Sequence, residues 1–267
     1  MMNDLYDQIM NTKRFFLIAG PCAVEDERIM RRTAEFLANE TAKRNILFIF
    51  KSSYKKSNRT SLSSPMGAGL DRGMNILSKI KHEFGLPLLT DIHETTEAKP
   101  VAEIADVIQI PAFLSRQTEL IRAAGATGKI VNIKKGQFMA PEDMQSAAEK
   151  VTIENNFRIL LTERGTTFGY HDLVVDFRSF AKMHDLGFPV VYDVTHSLQR
   201  PSISKTSGGS PEYAGMMTKA ALATGMVKGI FLETHPDPAE AISDASTMLE
   251  LADVPSLLDE CIRITER

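Results

Sequence analysis

Cys22, His196 and Glu233 each stand at the end of a short apolar run, and Asp237 and Asp244 follow the last run closely. One thiolate, one imidazole and carboxylates gathered together would make a mixed sulfur, nitrogen and oxygen shell. Such a shell suits Zn²⁺, Fe²⁺, Co²⁺ or Mn²⁺. Spacing alone does not establish it, because the chain has no Cys-x-x-Cys and no His-x-x-x-His. Cys22 reads equally as a small buried residue, and His196 as a hydrogen-bonded histidine. A second set is basic. Lys51 ends one apolar run and Lys55, Lys56 and Arg59 share its loop, while Lys134 and Lys135 end another and Arg164 a third. Each lysine alone reads as a solvated surface charge. Their recurrence at one topological position points to a bound phosphate or carboxylate. Glu233-Thr-His235-Pro-Asp237 and Asp91-Ile-His93-Glu94 add acidic and imidazole groups at run ends, as ligands or proton carriers. The first also reads as a proline-stiffened turn with a capping Asp237. No Ser/His/Asp nucleophile set and no P-loop is present.

The elements that must position these groups are eight apolar runs: Phe15–Ala19, Ile46–Phe50, Pro87–Thr90, Val107–Pro111, Ile130–Lys134, Ile159–Arg164, Val190–His196 and Gly229–Glu233. Continuous apolar runs of this length suit strands buried on both faces of a parallel sheet. Amphipathic segments lie between them: Asp26–Arg44, Gly67–Phe84, Pro141–Glu154, Leu173–Asp185, Pro211–Thr224 and Pro238–Leu251, with Pro255–Glu266 as a terminal helix. Pro141 and Pro211 sit where helices begin, with acidic neighbours in the first turn. The alternation predicts an α/β fold, a (β/α)8 TIM barrel forming one catalytic domain over residues 1–267. Its chemistry would lie at the C-terminal ends of the strands. A doubly wound open sheet is the competing fold, weakened because no Gly-x-Gly-x-x-Gly follows the first run. The Leu198–Ser210 segment has neither strand nor helix character and reads as a binding loop or a flexible surface loop.

At 267 residues, 43% hydrophobic and 24% charged, the composition is that of an ordinary globular protein. A net charge of −3 gives no support for a nucleic-acid or anionic-membrane surface. No apolar run approaches the roughly 20 residues needed to span a bilayer. No signal peptide is visible, and two cysteines near opposite ends of the chain make no disulfide framework, so a cytoplasmic location is expected.

The order of motifs then resembles one family, the 3-deoxy-D-manno-octulosonate 8-phosphate synthases, also called 2-dehydro-3-deoxyphosphooctonate aldolases. The resemblance runs through Ile18-Ala-Gly-Pro-Cys22, Phe50-Lys-Ser-Ser53, Lys56-Ser-Asn-Arg59, Thr90-Asp-Ile-His-Glu94 and Ile108-Gln-Ile-Pro-Ala-Phe-Leu114. It continues through Asn132-Ile-Lys-Lys-Gly-Gln-Phe138, Thr162-Glu-Arg-Gly-Thr-Thr-Phe-Gly-Tyr170, Asp193-Val-Thr-His196, Ser207-Gly-Gly209 and Glu233-Thr-His-Pro-Asp237. The chain departs from the family pattern at Tyr54-Lys55, where Phe-Asp is usual, and at Ser63–Gly67, where an expected Arg is missing.

The resemblance implies a cytoplasmic homotetramer of a Gram-negative-type bacterium, acting in lipopolysaccharide synthesis. It would condense phosphoenolpyruvate with D-arabinose 5-phosphate. Lys56, Lys135 and Arg164 would hold phosphoenolpyruvate, with Lys51, Ser53 and Gln109 close by. Asn58 and Arg59 would meet arabinose 5-phosphate, Arg59 reaching from a neighbouring subunit, and Asp91 would sit near the sugar. Lys56, Lys135, His196 and Asp91 are the implied catalytic groups. Cys at position 22 implies the metal-dependent branch, with Cys22, His196, Glu233 and Asp244 as ligands to Zn, Fe, Mn or Co. Two alternatives remain: a 3-deoxy-arabino-heptulosonate 7-phosphate synthase using erythrose 4-phosphate, and a non-catalytic phosphosugar-binding barrel.

Overall fold

The computed structural model describes residues 4–57, 66–200 and 208–266. Eight parallel strands close on themselves: β1 (Phe16–Gly20), β2 (Leu47–Lys51), β3 (Leu88–Asp91), β4 (Val107–Ile110), β5 (Ile130–Lys134), β6 (Ile159–Glu163), β7 (Val190–Asp193) and β8 (Val227–His235). Each pairs with the next, and β8 returns to β1 in register from Phe16↔Gly229 to Gly20↔Glu233. The expected (β/α)8 barrel is therefore the observed fold. Alternate residues of each strand face opposite ways. Phe16, Ile18, Ile49, Leu89, Val107, Ile130, Leu160, Val191 and Phe231 fill the interior. Leu17, Ala19, Phe48 and Phe50 pack outward against the helices.

The helices are α1 (Leu5–Asn11), α2 (Glu27–Lys43), α3 (Leu70–Phe84), α4 (Ala98–Ala102), α5 (Thr118–Gly125), α6 (Met144–Thr152), α7 (Arg178–His184), α8 (Val194–Ser197), α9 (Ala214–Ala223) and α10 (Val254–Thr265). Local rules set their ends. Asp26 caps α2 by accepting from the Ile29 amide. Gly85 ends α3 in the left-handed conformation. The unforeseen α1 lies against the barrel interior, its fully buried Ile9 joining the interior cluster with Leu5 and Tyr6 packed beside it.

Three sequence expectations change. Pro238–Leu251 is not a helix. It holds a 3-10 turn (Pro238–Glu240) and a short strand (Leu249–Glu250), because Asp237 caps only that turn. The Leu173–Asp185 segment begins as the return strand of a hairpin (Thr166–Gly169 with Asp172–Val174), so its helix starts only at Arg178. The seventh strand stops at Asp193, whose side chain accepts from the His196 amide and turns the chain into α8. In the Leu198–Ser210 segment, Gln199–Arg200 pairs with Gly208–Gly209, and residues 201–207 lie outside the described residues.

Candidate metal and anion site

The ends of β1, β2 and β8 converge because Gly20 has no side chain. A Cβ there would lie 2.1 Å from the Lys51 carbonyl oxygen. The Cys22 carbonyl, just beyond, accepts from Ser53 N (3.2 Å) and from Lys51 Nζ (3.1 Å). Cys22, Glu233 and Asp244 offer donor atoms that all lie within 4.8 Å of one another. Cys22 Sγ is 2.8 Å from Asp244 Oδ2. Asp244 sits not at a helix start but at a bend with φ of 54°. His196 stands at the edge of this group, its Nε2 3.7 Å from Glu233 Oε2.

A divalent ion fits these residues by an observation independent of their spacing. Glu233 Oε2 is buried and has no hydrogen-bond partner, an arrangement that is costly unless something else satisfies it. The other Glu233 oxygen is taken by Lys51 Nζ at 2.5 Å and approached by Lys56 Nζ at 3.6 Å. His196 is oriented through its other nitrogen, Nδ1, which lies 2.9 Å from buried Asp193. An outer carboxylate fixing a ligand imidazole is the usual support of a metal-bound histidine.

The electrostatics follow from burial and proximity. Burial, then Asp244 and Glu233, push the Cys22 thiol far up, with only partial relief from Lys56 and Lys51. Burial would raise Glu233 as well, but Lys51, Lys56 and His196 hold its carboxyl well below the usual range. Asp244 is lowered too: burial and Glu233 work against ionisation, and Lys56 and His196 outweigh them.

The basic residues divide into three groups. Lys134 Nζ points to the barrel axis, 3.8 Å from the centre of the Phe231 ring and 2.6 Å from Asp193 Oδ2. Its Nζ is thus paired within the barrel. Arg164 is buried, and its Nη2 donates to Gln199 Oε1 (3.1 Å), while Gln199 Nε2 donates to Asp244 Oδ1 (2.7 Å). Arg164 Nη1 is buried without a partner. Lys135 turns beneath the loops after β5 and β6, with its Nζ donating to Thr166 Oγ1 (2.9 Å) and lying 3.3 Å from Glu163. It adjoins Arg164 rather than the sulfur–carboxylate group.

Ser53 Oγ is buried and unpartnered. Gln109 Oε1 accepts from Asn132 Nδ2 (3.0 Å), whose Oδ1 accepts from Thr162 Oγ1 (2.6 Å) in a polar ladder across β4, β5 and β6. Asp91 Oδ2 is 3.2 Å from His93 Nε2, and its Oδ1 is buried with no partner. Burial opposes its ionisation, but His93, Lys56 and Lys51 keep the carboxyl far below its ordinary value. Asn58 and Arg59 lie outside the described residues, as do Ser63–Pro65. His235 Nδ1 accepts from Asp237 N and Asp237 caps the following turn, so these two have the structural role, while Glu233 of the same motif stands in the candidate metal group.

Sequence reasoning missed Asp193 and Gln199 as organisers. Asp193 stands three residues before His196 on one helical turn, a spacing that signals the contact. Gln199 carries no such signal.

Unpaired guanidinium nitrogen, buried lysines and a sulfur–carboxylate cluster at the C-terminal end of a (β/α)8 barrel define a barrel with candidate anion-binding groups beside a candidate metal centre. The chain belongs to the DAHP synthetase I family, whose profile matches residues 7–266. Among its relatives, a protein of Nitratidesulfovibrio vulgaris (strain DP4) is 51% identical over 92% of this chain and 90% of its own length. One from Syntrophobacter fumaroxidans is 47% identical over 98% of this chain and 91% of its own. One from Fusobacterium nucleatum is 48% identical over 94% and 91%. All three are named 2-dehydro-3-deoxyphosphooctonate aldolase.

Proposed function

We propose that the protein is a transferase that condenses phosphoenolpyruvate with D-arabinose 5-phosphate and water, yielding 3-deoxy-D-manno-octulosonate 8-phosphate and inorganic phosphate. The observation that carries this reading is the unpartnered Arg164 Nη1, a group suited to an anion, on a side chain linked through Gln199 to Asp244 of the Cys22–Glu233–Asp244 cluster. The relatives' shared name supports the same chemistry over the heptulosonate alternative.

Phosphoenolpyruvate carries a phosphate and a carboxylate. Lys56, Lys135 and Arg164 would offset that charge and fix its orientation, converting a bimolecular encounter into a positioned one. Lys51, Ser53 and Gln109 would line the same pocket. C3 then forms a bond to the aldehyde carbon, whose oxygen takes a proton, and positive charge develops at C2. Water adds to C2 and loses a proton. The resulting phosphohemiketal breaks its C2–O bond to phosphate, and loss of the hydroxyl proton leaves the ketone. Asp91, with one free carboxylate oxygen, is suited to the sugar end, and Asn58 and Arg59 to arabinose 5-phosphate by their motif.

Cys22, His196, Glu233 and Asp244 would hold a divalent Zn, Fe, Mn or Co ion, with His196 aimed by Asp193. Such an ion supplies Lewis acidity and lowers the pKa of bound water. The whole chain is read as one catalytic domain. A homotetramer is supported by exposed Phe113, Phe138, Phe168 and Tyr170 on loops at one end of the barrel. Among the described residues no helix is long and apolar enough to cross a membrane, and the cytoplasmic location is proposed from the family resemblance.

The test is release of inorganic phosphate from phosphoenolpyruvate with arabinose 5-phosphate or erythrose 4-phosphate, with chelator and then with metal added back. Preference for the four-carbon sugar overturns the substrate assignment. Binding without phosphate release would favour the non-catalytic barrel.

A further inference from the structure

The side-chain amide of Gln199 stands between the guanidinium and the sulfur–carboxylate cluster and bonds to both. Arg164 Nη2 donates to its Oε1 (3.1 Å), and its Nε2 donates to Asp244 Oδ1 (2.7 Å). The direction of the amide is forced, because a guanidinium can only donate and a carboxylate can only accept. Short pieces of backbone hold this bridge in place. Gln199 pairs with Gly209 in the antiparallel ladder that follows α8. Gly209 lies against the bend that carries Asp244, since a Cβ there would stand 2.0 Å from Thr247 Cγ2 and 2.9 Å from the Ser246 carbonyl oxygen. The bend closes through Thr247 N and Met248 N, which donate to the Asp244 carbonyl at 3.0 and 3.2 Å. The Asp244 carboxylate is thereby divided. Gln199 takes Oδ1, while Oδ2 accepts from Cys22 Sγ and from Ser243 Oγ, each at 2.8 Å.

We propose that Gln199 is a positioning residue that couples cation binding at Cys22, Glu233 and Asp244 to anion binding at Arg164. This rests on the function proposed above, with phosphoenolpyruvate as the anion. Holding Oδ1 turns Oδ2 toward Cys22, the side on which a divalent ion would displace the thiol proton. Holding Nη2 leaves Nη1, buried and unpartnered, for the anion. A ligand that fixes Asp244 therefore also fixes Gln199 and Arg164, so the second ligand meets groups that are already ordered. The gain is the same in either order of binding, because coupling between two sites is reciprocal. Direct attraction between ion and anion acts without the bridge. Gln199 carries the part of the coupling that disappears when its amide does. Met keeps the length of the side chain and loses both bonds. Asn keeps the amide but is one methylene shorter, and reaches one neighbour instead of two.

Gln199→Met and Gln199→Asn test this without turnover. Co²⁺ affinity is read from its visible absorption with and without phosphoenolpyruvate, and phosphoenolpyruvate affinity by calorimetry on chelated and Co²⁺-loaded protein, with the sugar phosphate left out. In wild-type protein each ligand should tighten the other about tenfold. Gln199→Met should cut that factor about fivefold in both directions, and Gln199→Asn should lose most of the same gain. An equal loss of Co²⁺ affinity with and without phosphoenolpyruvate, the mark of a merely structural role, overturns the proposal. Wild-type protein that takes up Co²⁺ but no phosphoenolpyruvate fails the functional reading and the coupling with it. Wild-type protein that binds the two independently sinks the coupling alone.

Discussion

Asp193→Asn isolates the support beneath the site from the site itself. Asp193 is fully buried, accepts from the His196 amide at 3.0 Å, meets His196 Nδ1 at 2.9 Å and pairs with Lys134 Nζ at 2.6 Å. Asn keeps the shape and one acceptor, but its amide nitrogen must then face either the ammonium or the imidazole N–H. Losing one partner of a buried ion pair costs about 3–5 kcal/mol. The low end applies here, because Lys134 keeps its contact with the Phe231 face, worth about 0.5–2 kcal/mol. About 3 kcal/mol corresponds to a drop in Tm of about 6–12 °C for a chain near this size. The loosened imidazole should also weaken divalent-ion affinity about 10- to 100-fold, or about 1.4–2.8 kcal/mol. Thermal unfolding of the chelated protein measures the first effect, and competition with a chromophoric chelator for Co²⁺ or Zn²⁺ the second. Adding Lys134→Met lays an apolar chain over Phe231, and this double variant should regain stability but not metal affinity. An Asp193→Asn protein with unchanged Tm and unchanged metal affinity refutes the reasoning.

Cys22→Ala should abolish metal binding and most activity by removing the sulfur donor, and full turnover of the variant in chelator contradicts that. Cys22→Asn should be partly active at best, with wild-type turnover the contrary result. Ile9→Ala should lower stability by about 2–5 kcal/mol in denaturant unfolding, since Ile9 is fully buried against the barrel interior, and should leave both KM values alone. Burial, aided by Glu260, pushes the Cys261 thiol up to about 12. The native thiol keeps its proton above the unfolded pKa of about 8.5, where the unfolded thiol loses it, so this group's contribution falls as pH rises through that window. Cys261→Ala should therefore cost less stability at pH 10 than at pH 8, and a cost that grows with pH counts against the assignment.

The barrel was legible because burial on both strand faces leaves continuous apolar runs, and all eight observed strands overlap the runs that announced them. Strand ends were legible to within a few residues. Pro238–Leu251 misled because Asp237-Pro238 is a strong helix-start signal, whereas the chain must instead bend to bring Asp244 to Cys22. The hairpin at Thr166–Val174 was hidden because its strands are exposed and short, with no apolar periodicity to mark them. In the site, side-chain types named the sulfur and the carboxylates, but not which cation pairs with which anion. Lys134 and Lys135 are neighbours in the chain, yet one points into the barrel toward Phe231 and the other beneath the loops. Only the inward–outward alternation of β5 and the turn after it separates them.

That pairing decides where an anion can go. A lysine already bonded to a buried carboxylate must break that bond to bind substrate, and the abandoned carboxylate is left uncompensated. Lys51 with Glu233 and Lys134 with Asp193 are held in this way. Their task is to keep those acids ionised, as the depressed carboxyls show. Arg164 Nη1 has no bond to break, and Lys56 stands 3.6 Å from Glu233, too far to be fully engaged. In the proposed reaction an incoming phosphate or carboxylate would therefore meet Lys56 and Arg164 first, with little rearrangement. The same division splits Glu233: Lys51 takes Oε1, which leaves Oε2 facing His196 for a cation. A lysine on each Glu233 oxygen would close the cation site, and a free Lys51 would draw the anion off the line between Lys56 and Arg164. In the proposed reaction the Lys51–Glu233 bond would thus keep the candidate cation site and the candidate anion site apart.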